Sequence, residues 1–330
     1  MKCKYHRLAL VAFFCSTLVQ AAEVEDLITQ AKAGGYLALF KLGALYYKGG
    51  RLPLDNRQIL ERLHKAAESG DASAARKLGT LYYKGETVPK DLTQAFFWFK
   101  QAAERGERDT QVWLAQLFLE GKDVQKDMAA VIYWYTKAAE QGDAKAQFNL
   151  GRFYHAGDGV PQDYTKAFTW YKKSAEQNFD SAKVNLGVLY SNGLGVPQDY
   201  LRANELFAQP AEHGNAAAQL QLGLNALGGK GMGQDKRKAM EYFRSAARQD
   251  LRFAQAMIGV LYAEGYEGRR SSVVAFAAIE CANERDANGV REQLLAVLKP
   301  QELEAARQLS LNMCQANNFI QALDDYLNTH

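Results

Sequence analysis

Apolar positions along this chain recur at helical spacing and then at a longer one. Between Asp143 and Gly157, Ala146, Leu150 and Tyr154 fall on one helical face, with an aspartate at the start and a glycine at the end. This segment predicts a helix, called A. A turn, Gly159-Val160-Pro161-Gln162, leads to Asp163, whose carboxylate can accept from the free amides of a second helix, B, over Tyr164 to Gln177. Helix B carries its own stripe of Ala167, Trp170, Tyr171 and Ala175, matched 72 residues earlier by Ala95, Trp98, Phe99 and Ala103.

The hairpin repeats every 36 residues. One column is Gly43, Gly79, Gly151, Gly187, Gly223 and Gly259, with Ala115 filling the gap; a second is Gly49, Gly85, Gly121, Gly157, Gly193, Gly229 and Gly265. A third is Asp55, Asp91, Asp127, Asp163, Asp199 and Asp235, continued by Ser271. An amphipathic hairpin cannot bury both faces alone, so stacked neighbours must supply its core. The sequence therefore predicts an all-α solenoid of seven helix-pair repeats over residues 35–283. A half-repeat over 22–34 precedes them, and an unrepeated helical cap over 284–330 follows, with helices near Val290 to Leu298, Gln301 to Gln315 and Phe319 to Asn328. Gly151 stands inside helix A, where glycine costs about 1 kcal/mol relative to alanine. Close approach of helix B and its aromatic residue explains why a side chain is excluded there. Pro210, inside the fifth helix B, predicts a kink or an early end.

The alternating columns are similar to the signature of Sel-1-like repeats, relatives of tetratricopeptide repeats: A-x3-L-G-x2-Y-x2-G-x-G-V-x2-D-x3-A-x2-W-Y-x2-A-A-E-x-G. Ala146 to Asn178 follows it almost throughout, with Ser174 and Asn178 as the departures. The turn proline is kept as Pro53, Pro89, Pro161 and Pro197 but replaced by Gln125 and Gly233. The resemblance implies a right-handed solenoid that serves as adaptor or scaffold for a protein or peptide partner, with no family-wide catalytic residues and no cofactor. If tetratricopeptide geometry transfers, helix A side chains outside the Leu-Gly-Tyr stripe line a concave face. That face then offers Arg76, Tyr83, Lys84, Lys145, Phe148, Arg152 and His155 in repeats two to four. In repeats five to seven it offers Val184, Val188, Leu220, Leu224, Leu227, Phe253 and Val260. An extended ligand with an acidic and an apolar part would suit two such halves; alternatively the cap folds over the apolar one.

Charge and cysteines refine the picture. Lys2, Lys4 and Arg7 precede an apolar run from Leu8 to Val19 and the small-residue site Val19-Gln20-Ala21, the pattern of a signal peptide over residues 1–21. The whole chain has 40 Lys and Arg against 37 Asp and Glu. Without the leader's three basic residues the two are equal, which argues against a nucleic-acid partner. Export predicts a periplasmic or secreted protein, a monomer with no membrane-spanning segment in its mature chain. Cys281 and Cys314 then either form one disulfide, tying cap to solenoid, or stay as two buried thiols.

Catalytic constellations are missing: no Ser-x-x-Lys, H-E-x-x-H or C-x-x-C occurs. His64, His155, His213 and His330 occupy different repeat positions, and the glycine-rich stretch Gly228 to Gly233 lies at a repeat turn. No metal ligand set is expected. A disulfide-rich branch of the resembled family is associated with β-lactams, so a cell-wall-associated enzyme or a glycan or β-lactam binder is the competing reading. The cysteine count speaks against it.

Overall fold

Helices in the computed structural model start on the columns that the sequence sets. The structure describes residues 26, 29–30, 56–86, 88–268, 270–283, 288–315 and 318–329. The expected leader, the half-repeat over 22–34 apart from three helical residues, helix A of the first repeat and His330 lie outside them.

Two compact units divide the chain, residues 1–141 and 142–330. The first contains α1 (Asn56–Glu68), α2 (Ala72–Lys84), α3 (Leu92–Glu104), α4 (Arg108–Glu120) and α5 (Met128–Glu140). The second contains the pairs α6 (Ala144–Ala156) with α7 (Tyr164–Glu176), α8 (Asp180–Asn192) with α9 (Tyr200–Glu212), α10 (Ala216–Gly228) with α11 (Lys236–Ala247), and α12 (Arg252–Glu264) with α13 (Ser272–Ala282). Three further helices complete it: α14 (Asn288–Val297), α15 (Pro300–Met313) and α16 (Phe319–Thr329). Every helix A from α2 to α12, and every helix B from α1 to α13, begins 36 residues after its predecessor. Within each unit, hairpin partners pack against each other and each helix B packs on the helix A that follows.

The columns act at the helix ends. Asp91 and Asp127 in the first unit, and Asp163, Asp199 and Asp235 in the second, each accept a hydrogen bond from the third amide of the helix they precede, and Ser271 does the same through its hydroxyl. The glycines from Gly85 to Gly265 close the A helices in the left-handed conformation.

The interior glycine column meets an aromatic ring. A Cβ on Gly79 would lie 2.7 Å from the Phe99 ring, on Gly187 2.5 Å from Phe207 and on Gly223 2.6 Å from Phe243. The contacting residue is thus the second of the helix B aromatic pair, a column that includes Tyr171 and is aromatic from the second repeat to the sixth. Ile279 replaces it in the seventh, with its Cγ1 2.8 Å from a Cβ on Gly259. Trp98 and Trp134, the neighbouring column, are themselves buried.

Pro210 neither shortens nor ends its helix, contrary to the sequence expectation: α9 runs to Glu212 with the same 13 residues as α7. The proline falls in the last turn, and its carbonyl still accepts from the Asn215 amide at 2.9 Å. Its position is buried and takes Ala102, Ala138, Ser174 and Ala246 elsewhere, so a compact side chain is what the packing requires.

The unrepeated segment packs on B helices. α15 lies against α13, and α16 against α15 and α11. Phe319, Ile320 and Leu323 join the core around Phe243 and Phe276. Arg244 of α11 binds Asp324 of α16 through one guanidinium nitrogen, at 2.6 and 2.5 Å. Cys281 and Cys314 form the disulfide that the sequence left open, with Cα atoms 5.3 Å apart. It joins the end of α13 to the end of α15.

Candidate functional site

Within each unit the candidate residues occupy the same stripe of the A helices. Counted from the helix start, they fall at the second, fifth, ninth and twelfth positions, with Lys84 at the thirteenth, which is one face of a helix. That stripe is variable where the columns are constant.

In the first unit it is largely engaged by its own neighbours. Arg76 Nε lies 3.1 Å from Glu107 Oε1, and Glu107 also caps α4 through the Thr110 amide at 2.7 Å. The Tyr83 hydroxyl donates to Asp123 Oδ2 at 2.9 Å, its ring meets Trp113 edge-on at 5.6 Å, and Lys90 Nζ stands 5.5 Å above it. That hydrogen bond to a carboxylate raises the Tyr83 pKa, assisted by burial. Lys84 is exposed.

In the second unit, Lys145 and Arg152 are exposed. Phe148 packs on Tyr171 and Phe179, with ring centroids 5.9 and 5.2 Å away. His155 is edge-on to Tyr164 at 5.4 Å and Tyr171 at 6.2 Å, and burial lowers its pKa. Burial also pushes the Tyr171 hydroxyl up to about 12. Among the described residues, Lys84, Lys145 and Arg152 have no carboxylate within ion-pair distance.

The apolar stripe is less open than the sequence implied. Val184 is buried, and Val188 packs with it against the core around Phe207. Leu220, Leu224, Leu227 and Val260 are partly buried against the last core cluster. The same cluster takes in Leu294, Leu309 and Phe319 of the C-terminal helices, which sit on α13 and α11. Burial against the following hairpin is something a helical wheel of a single hairpin does not reveal.

The remaining candidates resolve into architecture. His64 Nε2 is 3.2 Å from the Tyr82 hydroxyl and edge-on to Trp98, and His213 Nδ1 is 2.6 Å from Asp180 Oδ2. Among the described residues no group of three or more His, Cys, Asp or Glu is placed to hold a metal ion, and no helix is long and apolar enough to cross a membrane. Sequence reasoning missed a polar rung: Gln141 donates to Gln111, Gln177 to Gln147 and Gln249 to Gln219, at 2.8, 2.8 and 3.1 Å. These pairs recur at the repeat period, a signal that was available in the sequence. In the fifth repeat Lys183 and His213 take the two places.

Comparison with known proteins agrees with the geometry. The family model described as Sel1 repeat matches residues 37–71, 72–107, 109–143, 144–179, 180–215 and 216–251. The hairpin of α12 and α13, in register but divergent, follows these six. A crystal structure of a Sel1 repeat protein from Oxalobacter formigenes is similar at 28% identity, covering 86% of each chain with a TM-score of 0.64. A protective antigen present in uropathogenic Escherichia coli strains, described as displaying an SLR fold, aligns over 93% of this chain and 97% of its own at 24% identity, with a TM-score of 0.41. No curated protein matches the chain.

Proposed function

The chain belongs to the Sel1 repeat family, and on that premise we propose that it is a periplasmic or secreted scaffold whose protein or peptide partner is bound along the variable stripe of the A helices. Sel1 repeat proteins are in general protein-interaction scaffolds. The observation that carries the finer reading is the division of labour among the side chains. The repeated glycines, aspartates and aromatics are consumed in caps and hairpin packing, whereas Lys84, Lys145 and Arg152 are exposed cations without an ion-pair partner among the described residues. Exposed charges that no fold contact requires are available to steer and orient an acidic partner.

Two features support the location. The leader-like segment over residues 1–21 has a basic start, an apolar middle and small residues at its end. The disulfide between Cys281 and Cys314 suits an oxidising compartment. The equal numbers of acidic and basic residues beyond that segment favour a protein over nucleic acid, and the scaffold is proposed to act as a monomer without enzymatic activity.

Chemical crosslinking of the full chain in its native envelope, followed by mass spectrometry, tests this reading. A reproducible protein partner in the periplasmic or extracellular fraction is expected. Cytoplasmic retention, or no reproducible partner, would overturn it.

A further inference from the structure

The turn between α4 and α5 departs from those of the fourth and fifth repeats at three positions together, one of which, Lys126, it shares with Lys90 of the second repeat. In the fifth and sixth repeats a second glycine lets the turn lie on the start of the preceding helix B. A Cβ on Gly195 would fall 2.5 Å from the carbonyl carbon of Tyr164, and one on Gly231 2.5 Å from that of Tyr200. A glutamine then ties the turn to helix A: the side-chain amides of Gln162, Gln198 and Gln234 donate to the carbonyls of His155, Ser191 and Leu227 at 2.9, 2.7 and 2.9 Å. The third repeat has Asp123 and Lys126 at these two positions, and Gln125 where the fourth and fifth have proline.

The turn is looser than in the fourth to sixth repeats. Asp123 is absent from the positive-φ residues, whereas Gly159, Gly195 and Gly231 have φ of 74°, 68° and 64°. The Asp127 amide is 3.4 Å from the Phe118 carbonyl, against 2.8 to 2.9 Å for Asp163, Asp199 and Asp235. Tyr83 holds the Asp123 carboxylate from the other side. A cleft of about 640 Å³ remains beside the turn, lined by Phe96, Phe118 and residues 124–128. Its volume is in the range of small ligand sites, about 300–1,000 Å³.

The lining fixes the chemistry of an occupant. Phe96 and Phe118 meet edge-on at 5.7 Å, and Met128 adds an adaptable thioether. Neither neighbouring carboxylate pairs with Lys126: Asp123 accepts from Tyr83, and Asp127 accepts from the Ala130 amide at 3.1 Å. Lys126 is exposed and has no ion-pair partner among the described residues. An apolar floor beside an unpaired ammonium complements an aromatic side chain flanked by carboxylates. We infer that this cleft receives an acidic peptide segment of the partner protein, seating one aromatic side chain between Phe96, Phe118 and Met128 and a carboxylate on Lys126. This assignment rests on the scaffold reading above and adds a second contact point to it.

A fluorescein-labelled Gly-Ser-Glu-Phe-Glu-Ser-Gly peptide tests it by fluorescence anisotropy with the full chain, alongside NMR of methyl-labelled methionine to follow Met128. Saturable binding with a shift of the Met128 methyl is expected. Replacing the peptide's Phe by Ala, or both Glu by Lys, should weaken binding at least tenfold. So should Lys126→Glu. The double variant Asp123→Gly, Gln125→Pro restores the ordinary turn and should lose binding at least tenfold with helix content and melting unchanged. No saturable binding to the wild type, or equal binding by the folded restored-turn variant, would overturn the assignment. If that variant still crosslinks the same envelope partner as strongly as the wild type, the cleft assignment fails while the scaffold reading stands. If the wild type captures no partner, it is the scaffold reading that fails.

Discussion

Gly151 and Tyr171 occupy the same space: a Cβ added to the glycine would lie 2.4 Å from the Tyr171 ring. The ring is fully buried and cannot withdraw. Gly151→Ala should therefore destabilise the second unit by about 2 kcal/mol, the scale of overpacking in a close-packed core, despite the better helix propensity of alanine. Urea denaturation followed by tyrosine fluorescence checks this. Tyr171→Leu in the same chain should recover part of the loss, and a fully additive double variant would contradict the contact.

The disulfide closes a loop of 33 residues' separation between α13 and α15. Loop-closure entropy assigns such a bridge about 3–4 kcal/mol. Cys281→Ser with Cys314→Ser should loosen α14 to α16 first, because stability in a repeat protein is nearly a sum of neighbouring terms. Hydrogen exchange should then rise in residues 288–329 before α6 to α9 are affected. Uniform protection would count against the bridge as a local staple.

Arg244 and Asp324 tie the last helix to the sixth repeat across 80 residues of sequence. The pair is partly exposed, so its coupling in a double-mutant cycle with Arg244→Met and Asp324→Asn should be about 1 kcal/mol. Zero coupling would mean that apolar burial of Phe319 and Leu323 holds α16 unaided.

His155 has its pKa lowered by burial, so the unfolded chain binds the proton more readily than the folded one. The stability it contributes is complete above its unfolded pKa of about 6.5 and is lost as the pH falls from there through the lower folded value. Thermal melts between pH 7.5 and 5 should show an acid decline that His155→Gln flattens. An unchanged slope in that variant would assign the decline to other groups.

Most of the architecture was legible because a solenoid writes each structural requirement once per repeat. Asp163 as a cap, Gly157 as a left-handed stop and Gly151 as a site of close approach all followed from their recurrence. The less legible features depend on contacts between repeats or on local relief. Val184 and Val188 read as an open patch on one hairpin, but Val184 is buried and Val188 partly buried against the core around Phe207. Pro210 reads as a breaker, yet it falls in a last turn that tolerates the missing amide. The cleft beside Val124 lies at a turn that carries Asp123, Gln125 and Lys126. Only Gln125 stood out in the sequence, as a replaced turn proline, and the cleft itself is visible only in the geometry of the turn. The candidate stripe falls on the A helices, and its two halves are less distinct than their composition suggested, since Arg76 and Tyr83 are already engaged by Glu107 and Asp123.

Binding along the variable stripe, with the repeated columns serving architecture, is the central claim. A photo-crosslinking amino acid placed singly at Lys84, Lys145 or Arg152 on the A helices, or at Tyr133, Lys173 or Leu201 on the B helices, tests it most directly in the native envelope. The account predicts one shared protein partner captured from the three helix A positions and none from the three helix B positions. Capture from the helix B positions alone would contradict it.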